Sequence, residues 1–280
     1  METNILGPGF AVEISGVDLS TDLTDTQFTE IKCLWLENKV AVFRDQNLDD
    51  DALVGFTKSF GPLFIHVRSQ FNDAVHPEIM LISNIKEGER NLGELGNGDL
   101  AWHSDQSYSA RPVFSTLMYA IEIPADGGGT WFCDTARAYE RLPEGTKQRI
   151  ADLQQNFSIE VTVATQHVAL NEEQRALKPP VTHPLVRTHP YLGRKSLYLS
   201  PAHSTGIADL SEEEGVALLA ELEHWAERPE FTYCHDWHVG DVVMWDNTST
   251  MHRRDAFPPA ARRMLKRTGF EFSEDQAVPF

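Results

Sequence analysis

The chain has 280 residues, 41% of them hydrophobic and 10% aromatic, with a formal net charge of −18. That composition can bury a sizeable core, which excludes disorder. So acidic a surface repels phosphate backbones and anionic lipid, which argues against nucleic-acid or membrane binding as the main function and requires local arginines if the substrate is itself an acid. In chain order, Met1 to Pro8 shows no basic segment followed by an apolar core, so no signal peptide is expected. Thr24-Asp25, followed by Phe28, Ile31, Leu34 and Trp35, predicts a capped amphipathic helix. Val40 to Phe43 reads as a buried strand. Asp49 to Ser59, with Leu53, Phe56 and Phe60, reads as a second helix stopped by Gly61-Pro62. Ile79 to Ile82 is another strand, and Asn91 to Leu100 is a glycine-rich loop.

Phe114 to Ile123 predicts a long strand, Gly127-Gly128-Gly129 a turn, and Thr130 to Cys133 a return to strand. Ala136 to Leu142 and Glu144 to Leu153 read as helical. The polar stretch from about Ala164 to Pro180 reads as a mobile surface loop or lid. Val186 to Thr188 and Ser196 to Leu199 flank Gly193, the pattern of a hairpin. Ser211 to Glu214 is a capping box opening a helix that runs to about Trp225. Phe231 to Cys234, Asp241 to Trp245 and Met264 to Phe272 are strand-like. No apolar run is long enough to span a bilayer. Many strands with a few peripheral helices predict a mainly β fold, a sandwich or jelly roll with helical insertions. Cys33, Cys133 and Cys234 are widely spaced and odd in number, against a disulfide framework or a zinc-thiolate site, and a reducing cytoplasm is the expected home.

The chemistry is concentrated in His103-Ser104-Asp105 and a distant histidine, His252. Two imidazoles and a carboxylate on one face of an octahedral ion form a three-ligand site that leaves positions open, which suits non-haem iron(II) and oxygen chemistry. On a strand, residues i and i+2 face the same side, so His103 and Asp105 can share one metal. A lone His-x-Asp is a weak signal in a chain with eleven histidines. His235-Asp236-Trp237-His238 is a competing cluster, and it reads as a strand-to-turn segment with exposed polar groups. Arg263 follows His252 by eleven residues on the next strand, a spacing that can return a guanidinium toward the metal to hold the far carboxylate of a dicarboxylic keto acid. Alone, Arg263 would be a solvated charge beside Arg262.

Several segments carry a resemblance: Val42-Phe43-Arg44-Asp45-Gln46, Phe60-Gly61-Pro62-Leu63, Trp102-His103-Ser104-Asp105, Gly128-Gly129-Thr130, His183-Pro184-Leu185-Val186-Arg187-Thr188-His189 and Trp245-Asp246-Asn247. Through them the chain resembles the taurine dioxygenase family of iron(II)/2-oxoglutarate-dependent dioxygenases, above all the branch containing 2,4-dichlorophenoxyacetate dioxygenase. The match runs nearly end to end, which implies one domain over residues 1–280 and a double-stranded β-helix. The resemblance implies His103, Asp105 and His252 as iron ligands. It implies Arg263 and Thr130 as binders of the C5 carboxylate of 2-oxoglutarate, and Arg267 as a second arginine near the C1 carboxylate and the acidic group of the prime substrate. His66 stands where taurine dioxygenase has a substrate-contacting histidine. Ser69 replaces a tyrosine of that enzyme and Asp99 an asparagine, so taurine itself is not the expected substrate. His66, Arg68, Ser69 and Asp99 are the expected readers of the substrate, with Asp99 either pairing with a cationic or hydroxyl group or with Arg68, or standing as a solvated loop carboxylate.

The implied reaction hydroxylates an aliphatic carbon of a small acid, such as an aryloxyacetate or sulfonate. O2 and 2-oxoglutarate are consumed, succinate and CO2 are released, and C–O, C–S or C–N cleavage can follow. Desaturation or cyclisation of an amino-acid-derived metabolite needs the same cofactors and stays open. Asp105 argues against halogenation, for which a small residue replaces the carboxylate ligand. A non-catalytic sensor or a zinc hydrolase would have no use for Arg263 and Thr130 together. Association into a homo-oligomer through the helices at Thr24 to Asn38 and Ser211 to Trp225 also stays open.

Overall fold

The computed structural model describes residues 1–94, 96–166 and 170–273. Two sheets face each other across one core. The larger has seven strands in the spatial order Glu2–Leu6, Ala11–Ser15, Val40–Phe43, Val242–Asp246, Ser115–Glu122, Met264–Phe270 and Met80–Ser83. The smaller has four, in the order Thr232–His235, Thr130–Asp134, Thr250–Arg254 and Leu100–His103. Every pairing in both sheets is antiparallel except Ala11–Ser15 against Val40–Phe43. This is the jelly-roll architecture the strand pattern predicts.

The central strands Val40–Phe43 and Val242–Asp246 of the large sheet are buried on both faces, and period-two alternation sorts their side chains. Val40, Val42, Val243, Trp245 and Leu265 point between the sheets, where they meet Phe132 of the small sheet. Ala41, Phe43, Val242 and Met244 point outward, beneath Ile31 and Trp35 of the helix Asp25–Asn38 and Leu53 and Phe56 of the helix Asp50–Lys58. The outer face of the small sheet is closed by Leu218, Leu219 and Leu222 of the helix Glu212–Ala226, packed with Cys133 and Met251.

Helix starts follow the capping signals. Thr24 and Ser211 each close a capping box, with Gln27 and Glu214 respectively, and Asp49 accepts from the Ala52 N–H. A third box, Asn171 with Gln174, opens the short helix Glu172–Ala176 inside the stretch expected to be a loose loop or lid. That expectation is corrected for the described part of the stretch. Gln174 Nε2 donates to Val67 O and Gln70 Oε1, both at 3.0 Å, and Lys178 Nζ donates to Ser109 Oγ at 2.9 Å. Residues 164–166 and 172–176 are helical, and Gln174 and Lys178 tie the segment to the body; residues 167–169 lie outside the described residues.

Other differences have local causes. Helix Glu144–Ile150 ends three residues earlier than expected, because Gln154–Phe157 is taken up by a three-stranded sheet with Val181–Pro184 and Ser204–Ile207. Strand Thr250–Arg254, missed in the sequence, fills the middle of the small sheet. All three cysteines are free thiols. Among the described residues no helix is long and apolar enough to cross a membrane.

Candidate active site

The site lies where the small sheet's central strands meet the Met264–Phe270 strand across the interior. His252 sits mid-strand, opposite His103 on one neighbour and Phe132 on the other. Cross-strand pairing therefore sets the two imidazoles side by side, with ring centroids 4.2 Å apart. Asp105 arrives differently from the i, i+2 expectation. Strand Leu100–His103 ends at His103, and Asp105 lies in the turn beyond it, ahead of Gln106 at φ 56°. A positive φ at a residue with a side chain is uncommon and marks a tightly determined backbone.

Tertiary hydrogen bonds aim the carboxylate. The Asp105 N–H donates to Asn247 Oδ1 at 3.2 Å, and Thr116 Oγ1 donates to Asp105 Oδ2 at 2.6 Å. Asn247 Nδ2 donates to that same Thr116 oxygen at 3.1 Å, and Trp245 Nε1 holds Asn247 Oδ1 at 3.1 Å. Asp105 Oδ1 lies 3.8 Å from His103 Nε2, and its Oδ2 lies 3.9 Å from His252 Nε2. One ligand atom from each of the three residues fits within 4.8 Å of the others. His103 Nδ1 lies 2.8 Å from Ala101 O, which fixes the tautomer with Nε2 free to ligate.

Electrostatics agree with a metal-ligating state. Burial holds His103 below its ordinary value, and burial with the neighbouring His103 brings His252 down to about 3, so both rings are neutral. Burial alone would raise the Asp105 carboxyl. The Arg267 guanidinium above all, with the Thr116 hydroxyl, holds it well below the usual carboxylate range. Two neutral imidazoles and an ionised carboxylate are the donor forms a divalent ion needs.

The three ligands open onto a cavity. Its charge is lopsided for so acidic a protein: Arg68, Arg254, Arg263 and Arg267 line it, against Glu94 and Asp105. Arg267 pairs with Asp105 Oδ1 at 2.9 Å, and Arg68 pairs with Glu94. Arg263 is 2% exposed, and among the described residues its guanidinium makes one hydrogen bond, a 3.4 Å contact from Nη2 to Gly128 O. Burial, with Arg254 nearby, lowers it to about 9. A buried guanidinium in that condition has donors free to receive an anion. Thr130 lines the same end; its oxygen accepts from Trp237 Nε1 at 2.9 Å, leaving its own proton for another partner.

The expected site residues divide as follows. His103, Asp105, His252, Thr130, Arg263, Arg267, His66 and Arg68 all line the cavity. His66 is buried, with Nδ1 accepting from the Arg68 N–H at 3.1 Å. Ser69 and Asp99 are not on its wall. Ser69 is exposed, in the short helical turn Ser69–Phe71. Asp99 is exposed and accepts from the Ala256 N–H at 2.7 Å. The expected Asp99–Arg68 pairing is replaced by Glu94–Arg68, because Glu94 is buried beside Arg68 and Asp99 faces out. The rival cluster is also corrected: His235 and Trp237 are buried, His235 Nε2 lying 3.0 Å from Asp241 Oδ2, while His238 stays exposed.

Six contributors escaped the sequence reading: Glu94, Tyr108, Thr116, His203, Asn247 and Arg254. Tyr108 and His203 stack edge to face at 4.8 Å on the cavity wall, and His203 Nδ1 lies 2.7 Å from Ser107 Oγ. For Arg254 a signal existed: it follows His252 by two, so on a strand it must share the ligand's face.

Known proteins agree with this geometry. The family model described as taurine catabolism dioxygenase TauD, TfdA family matches residues 2–268. An alpha-ketoglutarate-dependent 2,4-dichlorophenoxyacetate dioxygenase of Cupriavidus pinatubonensis is 37% identical over 94% of this chain and 95% of its own. Pentalenolactone F synthase of Streptomyces avermitilis is 31% identical over 99% of this chain and 96% of its own. Among solved structures, AAD-2 in complex with Mn(II) and N-oxalylglycine superposes with a TM-score of 0.83 at 33% identity, covering 99% of each chain. A match of this extent, on a chain that brings two histidines and an aspartate together beside buried arginines, shows that the protein belongs to the TauD/TfdA dioxygenase family.

Proposed function

We propose that the chain is an iron(II)- and 2-oxoglutarate-dependent dioxygenase that hydroxylates an aliphatic carbon of a small acidic substrate. The observation that carries this is one cavity holding both a His103/Asp105/His252 cluster and four arginines, two of them without a carboxylate partner among the described residues. The donor set suits a hard-to-borderline divalent ion that keeps open positions. When bound there, iron(II) supplies oxidation of an unactivated C–H bond, coupled to conversion of 2-oxoglutarate and O2 into succinate and CO2.

The protein's own work is placement. Arg263 and Thr130 hold the distal carboxylate of the co-substrate. Arg267, next to Asp105, faces the metal end, where it orients the proximal carboxylate and the acidic group of the prime substrate. Arg68, braced by Glu94, supplies a second cation on the substrate side, with His66 behind it. Aryloxyalkanoates and sulfonates fit this charge pattern, and a relative acting on 2,4-dichlorophenoxyacetate supports the first class. The resemblance to pentalenolactone F synthase supports a second reading, oxidation of a biosynthetic intermediate with ring formation.

A coupled succinate assay over aryloxyacetates, sulfonates, sulfate esters, phosphonates and amino acids tests the proposal. Succinate should form only with iron(II), O2 and 2-oxoglutarate present, and at the highest rate with a member of the acidic classes. Turnover that survives removal of oxygen would contradict it.

A further inference from the structure

Arg263 is not the only buried guanidinium at its end of the cavity. Arg254 lies two residues beyond His252 on the Thr250–Arg254 strand and stands opposite Thr130 in the ladder, so the strand's alternation turns it to the ligand face. It lines the cavity and is 5% exposed. Its Nη2 donates to Gly96 O at 2.8 Å and to Gly98 O, which uses one nitrogen of three. Its Nε is buried without a partner, and so is that of Arg263. Both guanidiniums lie over the ring of Phe257, at 5.1 and 5.9 Å from its centroid. Among the described residues no carboxylate comes within ion-pair distance of either.

Two like charges held close in a water-poor pocket, each with donors unused, make an arrangement completed by an anion set between them. We propose that Arg254 is a second anion-binding residue of the co-substrate subsite, gripping the distal carboxylate of 2-oxoglutarate together with Arg263 and Thr130. The inference rests on the 2-oxoglutarate reading above. The carboxylate is the class of ligand because a planar acceptor with two oxygens can bridge two forks, each giving parallel N–H donors. The distal carboxylate is the one in question because Arg267 already pairs with Asp105 at the opposite, metal-facing end.

The test compares two keto acids by anaerobic titration calorimetry on the Mn(II)-loaded protein, so that no turnover is needed. 2-Oxoglutarate carries the distal carboxylate; 2-oxovalerate presents the same keto-acid head on an uncharged tail. In Arg254→Met, 2-oxoglutarate should bind 10- to 100-fold more weakly, while 2-oxovalerate and Mn(II) bind as in the parent. Arg254→Lys, which keeps the charge and is the fallback if Arg254→Met misfolds, should recover part of the loss. Equal weakening of both keto acids would make Arg254 a support for the 96–98 loop only, and unchanged 2-oxoglutarate binding would remove it from the subsite; either overturns the proposal. If the parent protein itself fails to bind 2-oxoglutarate, the functional reading falls first.

Discussion

Thr116→Val is the most informative single change to the metal centre. Thr116 projects from the large sheet, opposite Trp245, and its hydroxyl donates to Asp105 Oδ2 at 2.6 Å while accepting from Asn247 Nδ2. Valine has the same shape, so packing in the wholly buried position survives. What is lost is a charge-assisted bond of about 1.5–3 kcal/mol, and one buried amide N–H is left without its acceptor. Part of the free energy reappears as freedom of the carboxylate to rotate off the line to the metal. Orienting partners of metal ligands typically change affinity by about 10- to 100-fold, the range the bond energy also gives. Anaerobic titration of the apoprotein with Mn(II), followed by electron paramagnetic resonance of the free ion, should show weakening of that order. Thr116→Ser, which keeps the hydroxyl, should restore it. If Thr116→Val binds Mn(II) as tightly as the parent, the hydrogen-bonded Asp105 is not what organises the site.

Other expectations follow from the same geometry. Arg267→Ala removes a cation 2.9 Å from Asp105 and should raise the KM for an acidic prime substrate by about 10- to 150-fold, the equivalent of about 1.5–3 kcal/mol for a charge-assisted contact, in steady-state succinate assays. Asp99→Asn should leave substrate preference unchanged across the panel, because Asp99 is exposed, off the cavity wall, and its Oδ1, kept in asparagine, caps the Ala256 N–H. His183 is buried against Ser109 O at 2.9 Å, and burial lowers it from 6.5 to about 4. The unfolded chain therefore binds this proton more readily, so the stability associated with neutral His183 is complete above pH 6.5 and is lost as pH falls toward 4. Urea midpoints of His183→Asn should decline less than the parent's between pH 7 and 4.5.

The sequence carried the outline of this fold in its hydrophobic runs and capping boxes. Val40 to Phe43 is legible because a strand covered on both faces is apolar throughout. Thr250–Arg254 is not, because Asp246-Asn247-Thr248-Ser249 ahead of it reads as a solvated loop. In the folded chain those polar groups are buried and satisfied: Asp246 Oδ1 accepts from the Thr248 N–H, Thr250 Oγ1 donates to Asp246 O, and Arg187 Nε donates to Thr248 O. No local pattern announces a turn stabilised by an arginine sixty residues earlier.

The candidate ligands were readable for a reason only half right. His103 and His252 do meet across strands, but Asp105 reaches them from a turn aimed by Asn247 and Thr116, whose sequence spacing to Asp105 carries no periodic signal. Arg253-Arg254 looks like surface charge. Alternation sends Arg253 outward to Asp255 and Arg254 into the cavity, and only the strand assignment separates them. Ser69 and Asp99 were singled out as departures from a relative, and difference alone does not put a residue on a cavity wall.

The central claim, a metal and a keto acid sharing one pocket, is tested most directly by anaerobic spectroscopy of the iron(II)-loaded protein. Addition of 2-oxoglutarate should produce the visible absorption of a keto acid chelated to iron(II), saturating at one equivalent per chain, and this absorption should be absent from His252→Ala. Iron binding at one equivalent with no absorption change on adding 2-oxoglutarate, or an unaltered response in His252→Ala, would contradict the account.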